Sequence, residues 1–185
     1  MGNKLMTKDI KRDYRFLDGE ADRQALVEDI RRMRREVLRL ADLVPEARWY
    51  EPRYHGWSLA AMLGHLQLTD TLTLRLMQIA LLGIRLPVSE DLLNRFNDLT
   101  ARLFKQRLVP TTLRGLQHGE KRIVEFVLHL PMDKFTRLVY HPSLGTYLTL
   151  EQAMQEFFYY HWQGHLQTMR EVEDIFYEPP QSTAL

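Results

Sequence analysis

An all-α fold, a four-helix bundle with an additional short helix in the connection between helices two and three, is predicted by three observations. Four long segments repeat apolar residues at a helical period. No run alternates at period two for long enough to make a sheet. Each of the four segments, at about 20–28 residues, would span about 30–40 Å, which are the proportions of a bundle.

The first helix shows the period most cleanly: Leu26, Ile30, Met33, Val37, Leu40 and Val44 step by 4, 3, 4, 3 and 4, a single apolar stripe. Arg31, Arg32, Arg34 and Arg35 lie around it, interleaved with Glu28, Asp29 and Glu36. Opposite charges three and four residues apart read as a solvated, self-pairing face. Pro45 and the stretch from Pro52 to Trp57 interrupt the pattern, and Ser58 is placed to cap a second helix running to about Leu82, where Gly83 and Pro87 stop it. A shorter helix from about Ser89 to Arg107 lengthens the connection until Pro110 breaks it. Thr111 or Thr112 can cap the third bundle helix, whose stripe of Leu113, Leu116, Ile123, Val127 and Leu130 has Glu120 in the missing position. From Pro131 to Leu148 the period vanishes; Pro142, Ser143 and Gly145 supply turn chemistry, so the stretch reads as a structured loop of extended character. Thr149 with Gln152 three residues on is a capping-box pair opening the fourth helix, which continues to about Tyr177 before Pro179 and Pro180. These elements make a single domain over residues 1–185, with its core at about 22–177 and a flexible N-terminal extension and C-terminal tail.

Composition then removes whole classes of chemistry. The chain has no cysteine, which excludes disulfides, thiolate nucleophiles and sulfur-ligated metal, leaving His, Asp and Glu as the strong metal ligands. With 25 Lys plus Arg against 24 Asp plus Glu, the net charge is +1, unlike a chain built to hold phosphate backbones, so no nucleic-acid partner is expected. The longest apolar stretches, such as Ile79 to Leu82, fall far short of the ~18 residues of a membrane span. The first residues, Met1-Gly2-Asn3-Lys4-Leu5-Met6, lack the apolar region of a signal peptide. A cytoplasmic protein without membrane attachment is the expectation.

Histidines are where the chemistry concentrates. His161 and His165 stand four residues apart, so both imidazoles lie on one face of the fourth helix, one turn apart. The stripe Leu150, Met154, Phe157, His161, His165, Thr168, Val172 and Ile175 puts that face toward the core. An uncharged His pair can sit in a core where each ring nitrogen finds a partner, so the pair alone leaves metal binding and plain packing both open. His65 adds a third: it is in register with Met62, Thr69, Leu72, Leu76 and Ile79 of the second helix. Three inward histidines would form a facial set that leaves a position on Zn²⁺, Ni²⁺ or Fe²⁺ open for water or substrate. His55, His118 and His129 fall on loops or helix flanks, and His141 sits in the loop that can fold over the site.

A general base must come from elsewhere, because Trp162 follows His161 and the zincin spacing with its Glu is absent. Glu120 occupies a stripe position where an apolar residue would be cheaper to bury. It is either a proton carrier or a flank carboxylate reaching solvent or an arginine. Asp70 and Glu156 each lie five residues from a histidine, about 140° round an ideal helix, and fit supporting or surface roles better.

Taken together these residues resemble a known family. Trp57-Ser58 opening a helix that reads Met62-Leu63-Gly64-His65-Leu66 is similar to the second-helix signature of the DinB/YfiT superfamily. His141-Pro142, Gly145 and Thr149 leading to His161 and His165 resemble the closing run of its YfiT-like members. The resemblance covers roughly Leu26 to Val172. It implies a four-helix bundle, often a homodimer, with a divalent metal held by His65, His161 and His165. Members of the family include mycothiol-dependent maleylpyruvate isomerases, bacillithiol S-transferases and proteins described only as metal-dependent hydrolases. The chain departs from the YfiT-type run in having Trp162, Leu166 and Met169 where further histidines often stand, which leaves the triad intact and the reaction open.

Two functions follow as expectations. One is a metal-dependent enzyme, a hydrolase or a low-molecular-weight-thiol S-transferase acting on a small-molecule substrate. There the ion (Zn, Ni or Fe) activates water or the thiol, and Glu120 or Tyr160 carries protons. The alternative is a non-catalytic dimeric helical bundle with a structural or lost metal site, in which Phe158 or Trp162 would plug the space above the metal.

Overall fold

Leu26, Ile30, Val37 and Leu40 of the first stripe are all buried, which fixes the inward face of helix α1 (Glu20–Leu43). The structure is a computed structural model and describes residues 10–87 and 90–173. Ser58 caps α2 (Leu59–Leu81), its hydroxyl accepting from the Ala61 amide at 3.1 Å. The short helix α3 (Glu90–Phe104) and the bundle helix α4 (Val109–His129) follow. Strands β1 (Leu138–His141) and β2 (Thr146–Thr149) lead into α5 (Leu150–Gln155). A single π-turn, Glu156–Tyr160, then joins α5 to α6 (His161–Glu173) in one continuous rod. Helix α1 packs on α4 and α6, while α2 packs on α3, α4 and the π-turn. Among the described residues the fold is thus all-α apart from one hairpin: a four-helix bundle with α3 inserted between its second and third members.

Three local differences from the sequence reading have simple causes. Helix α4 starts at Val109 and takes Pro110 into its first turn, where a missing N–H leaves no bond unmade. Thr112 therefore does not cap the helix; its hydroxyl donates to the Leu108 carbonyl at 3.2 Å. The loop of extended character is an antiparallel hairpin in which Val139 pairs with buried Leu148 and Tyr140 with Tyr147. Gly145 takes the left-handed conformation, φ +64°, that its tight turn requires. Strands of four residues are too short to show an alternation in the sequence. Finally, residues 10–18, expected to belong to a flexible extension, lie along the last helix. The Leu17 amide donates to Glu151 at 2.6 Å, the Arg15 amide to Gln155 at 2.8 Å, and Gln155 donates back to the Arg15 carbonyl at 2.9 Å. Leu17 is fully buried. Residues 1–9, Ser89, Ile175, the expected helix end at Tyr177 and the tail beyond it lie outside the described residues.

The apolar core is divided along the bundle. One cluster gathers Leu26, Ile30, Met77, Val127 and Phe158; the other gathers Val37, Leu40, Leu63, Leu116 and Trp162. Between them lies a polar layer. Arg31 and Arg32 pair with Glu28 and Asp29 on the surface as expected, and Arg39 pairs with Glu36, but Arg34 turns inward, its side chain 2% exposed, and meets Asp70 of α2 at 2.8 Å. Trp162 donates to the other Asp70 oxygen at 3.0 Å, and the Arg34 guanidinium lies 4.1 Å over the Trp162 ring.

Helix α3 reaches α2 at Gly64. A Cβ there would stand 2.8 Å from the Phe104 ring, closer than carbon atoms approach. Gly64→Ala is therefore expected to cost about 1–3 kcal/mol by overpacking, in spite of its better helix propensity. Urea unfolding measures the loss, and unchanged stability would show that α3 yields freely.

Candidate metal centre

His65 reaches the bundle interior from the end of the second turn of α2, and the Trp57 ring packs edge-on to it at 5.1 Å. His161 is the first residue of α6 and His165 lies one turn further on. Their ring nitrogens converge: the Nε2 atoms of His65 and His165 each lie 3.2 Å from Nε2 of His161. One ligand atom from each residue falls within 4.8 Å of the others.

Burial pushes all three imidazoles down, His65 and His161 well below the ordinary 6.5 and His165 to about 4. For His161 its two histidine neighbours add to the effect. The rings are therefore neutral near pH 7, each with a lone pair to give. Each neutral ring presents one nitrogen, Nε2, to the cluster, and that nitrogen is either a donor or an acceptor, so three converging Nε2 atoms cannot all be paired one to one. The two separations from His161 match a shared ion, since Zn–N bonds of about 2.0–2.1 Å in tetrahedral geometry put nitrogens about 3.3 Å apart. The Nδ1 atoms of His65 and His161 are buried without a hydrogen-bond partner in the protein, so with a metal at Nε2 each Nδ1 proton would have no protein acceptor, and the convergence of the three Nε2 atoms alone carries the fit. The three residues fit a divalent metal.

Beside them lies a cavity of about 390 Å³. Its polar lining includes Thr69, Thr73, Asn97, His141 and Glu156; its apolar lining includes Leu72, Leu76, Leu92, Phe96 and Phe157. Helix α3 supplies Leu92, Phe96 and Asn97, so the inserted helix closes one side of the space. The hairpin supplies His141.

The proton carriers expected from the sequence lie elsewhere. Glu120 is partly buried on α4 and does not line the cavity. The Tyr160 hydroxyl is engaged with the N-terminal segment, donating to the Asp13 carbonyl and accepting from the Asp13 amide, both at 2.8 Å. The carboxylate that does line the cavity is Glu156, 2% exposed. The π-turn brings it there: the His161 amide donates to the Glu156 carbonyl five residues back, stacking the two on one face where an α-helix would set them about 140° apart. No residue pattern announces that turn. Asp70, also expected in a supporting or surface role, is buried in the ion pair with Arg34.

No family model matches the sequence, and no curated protein matches it. Among solved structures the chain is similar to YfiT from Bacillus subtilis, described as a probable metal-dependent hydrolase with an unusual four-helix bundle topology. The two are 17% identical with a TM-score of 0.65, over 93% of this chain and 95% of that one. At that identity the likeness is one of fold, and it agrees with the second-helix and closing-run residues that carry the sequence resemblance. The chain has the DinB/YfiT-type four-helix-bundle fold.

Proposed function

We propose that this chain is a divalent-metal-dependent hydrolase of small acyl compounds, with Zn, Ni or Fe held by His65, His161 and His165. The observation that carries the reading is the convergence of three neutral Nε2 atoms beside a cavity of substrate size. When bound, the ion supplies Lewis acidity, activating water and polarising a carbonyl. The chain's own residues hold the ligand nitrogens in place, line the space with apolar side chains that exclude bulk water, and bring His141 and Glu156 to its wall. Hydrolysis then adds the oxygen of water to the acyl carbon and its proton to the leaving group. The described fold of YfiT, itself named a probable metal-dependent hydrolase, supports the reading.

Two observations weigh against the other expectations. Phe158 and Trp162, which would plug the site of a non-catalytic bundle, are fully buried in the two apolar clusters and do not line the cavity. No Lys or Arg is among the described lining residues, so an anionic low-molecular-weight thiol would find no side-chain countercharge there. The experiment is a panel of neutral p-nitrophenyl esters and anilides with the metal-loaded chain. Turnover is expected to fall by about a hundredfold on chelation and to return with Zn²⁺, Ni²⁺ or Fe²⁺. Adding a thiol to the Co²⁺-substituted protein is expected to give no sulfur-to-metal charge-transfer band; such a band, with thiol-dependent turnover, would replace this reading with S-transfer.

A further inference from the structure

The fold sets the chemistry of His141 before any ligand arrives. It ends β1 on the same inward side as Val139 and is 7% exposed. The Leu144 amide donates to its Nδ1 at 3.2 Å, so Nδ1 is the acceptor nitrogen and a neutral ring carries its proton on Nε2. Burial pushes this imidazole down to about 4, against the upward pull of Glu156, which keeps the ring neutral near pH 7. It stacks on Phe157 with centroids 4.7 Å apart, and its Nε2 lies 3.9 Å from Oε1 of Glu156.

Glu156 is held by the N-terminal segment. Arg12 places Nη2 3.0 Å from Oε1 and Nε 3.2 Å from Oε2, and the Tyr14 hydroxyl donates to Oε2 at 2.8 Å. A carboxylate engaged at both oxygens is a poor general base and a well-fixed negative charge. Beyond these groups the wall includes Leu72, Leu76, Leu92 and Phe96, with the uncharged Thr69, Thr73 and Asn97 beside them, which suits a chain of carbon atoms and offers no countercharge to a charged one.

We propose that His141 is a catalytic residue that donates a hydrogen bond from Nε2 to the carbonyl oxygen of an acyl substrate with an apolar chain, and that Glu156, fixed by Arg12 and Tyr14, positions it. The proposal deepens the hydrolase reading and rests on the same cavity. As the carbonyl carbon becomes tetrahedral, negative charge collects on its oxygen, and a donor aimed there binds the transition state more strongly than the ground state. His141 keeps its proton throughout.

Hexanamide, a neutral carbonyl compound with an apolar chain, is the probe, and its binding to the full chain is followed by calorimetry and by ¹⁵N–¹H spectra of the histidine side chains. His141 is expected as the Nε2–H tautomer, its proton resonance moving downfield when hexanamide is added. His141→Phe is expected to weaken hexanamide about tenfold or more, and His141→Gln, which keeps an N–H donor, to recover most of the loss. Glu156→Gln is expected to move the His141 Nε2–H resonance upfield, a change that altered packing alone would not give. An Nδ1–H tautomer, wild-type affinity in His141→Phe, or no hexanamide binding by the wild type overturns the proposal. Repeating the titration after chelation separates it from the metal reading: binding that still depends on His141, in a protein whose turnover ignores the chelator, removes the metal and leaves His141 in place.

Discussion

Asp70→Ala is expected to cost about 3–5 kcal/mol of stability, the range for breaking a buried ion pair from one side. The pair lies between the two halves of the core, with side chains 2% and 3% exposed. Burial pushes the Asp70 carboxyl up from its ordinary value, opposed by Arg34 and by the Trp162 hydrogen bond, so the carboxylate is already costly to bury. Its removal strands a guanidinium whose Nε and Nη2 have no hydrogen-bond partner in the structure, and also leaves the Trp162 N–H without its acceptor. Adding Arg34→Met removes the stranded charge, and the double variant is expected to recover most of the loss. Urea unfolding of the wild type, both single variants and the double variant measures the coupling; a double variant as unstable as the sum of the two would show that the groups act separately.

Acid is expected to unfold the metal-free protein cooperatively between about pH 6 and pH 4, well before ordinary carboxylates are fully protonated. The direction follows from four histidines, of which His65, His141 and His165 are buried and His161 is half-buried. His65 and His161 lie well below 6.5, and His165 and His141 at about 4, in each case chiefly through burial. Unfolded, all four take up protons as pH falls through about 6.5, while the folded chain resists until much lower pH. The unfolded state therefore binds more protons in that window, and stability, full above about pH 6.5, declines as pH falls. Four such groups give a slope of up to about 5 kcal/mol per pH unit, enough to exhaust the stability of an ordinary domain. Circular dichroism against pH, together with urea midpoints at pH 7 and pH 5, checks this. Stability unchanged down to pH 4.5 would mean that the imidazoles are solvated and free to charge.

The bundle was legible because its stripes are long: five apolar positions on α1, with Val44 just past its end, in strict alternation of three and four, and a Thr149–Gln152 capping box that the structure reproduces at 3.2 Å in both directions. His65, His161 and His165 were legible for the same reason, since each occupies a core-facing position in such a stripe. What was hidden depends on departures from ideal geometry or on distance along the chain. Arg34 looked like one more member of a solvated arginine face, and only Asp70, 36 residues away on another helix, draws it inward. Glu156 looked misdirected because a period of 3.6 was carried across a π-turn. The N-terminal segment showed no period because its bonds run from its backbone to side chains of the last helix, such as Glu151 and Gln155. Glu120 drew attention as a carboxylate in an apolar stripe, yet α4 turns it away from the cavity.

Metal stoichiometry tests the central claim most directly. The full chain, equilibrated with Zn²⁺ and passed through a desalting column, is expected to retain about one ion per chain, and His161→Ala and His165→Ala to retain less than about a tenth of that with helical content preserved. A folded wild-type chain that retains no Zn²⁺, Ni²⁺ or Fe²⁺, or a His161→Ala variant that binds as the wild type does, would contradict the assignment of these three histidines as a metal centre.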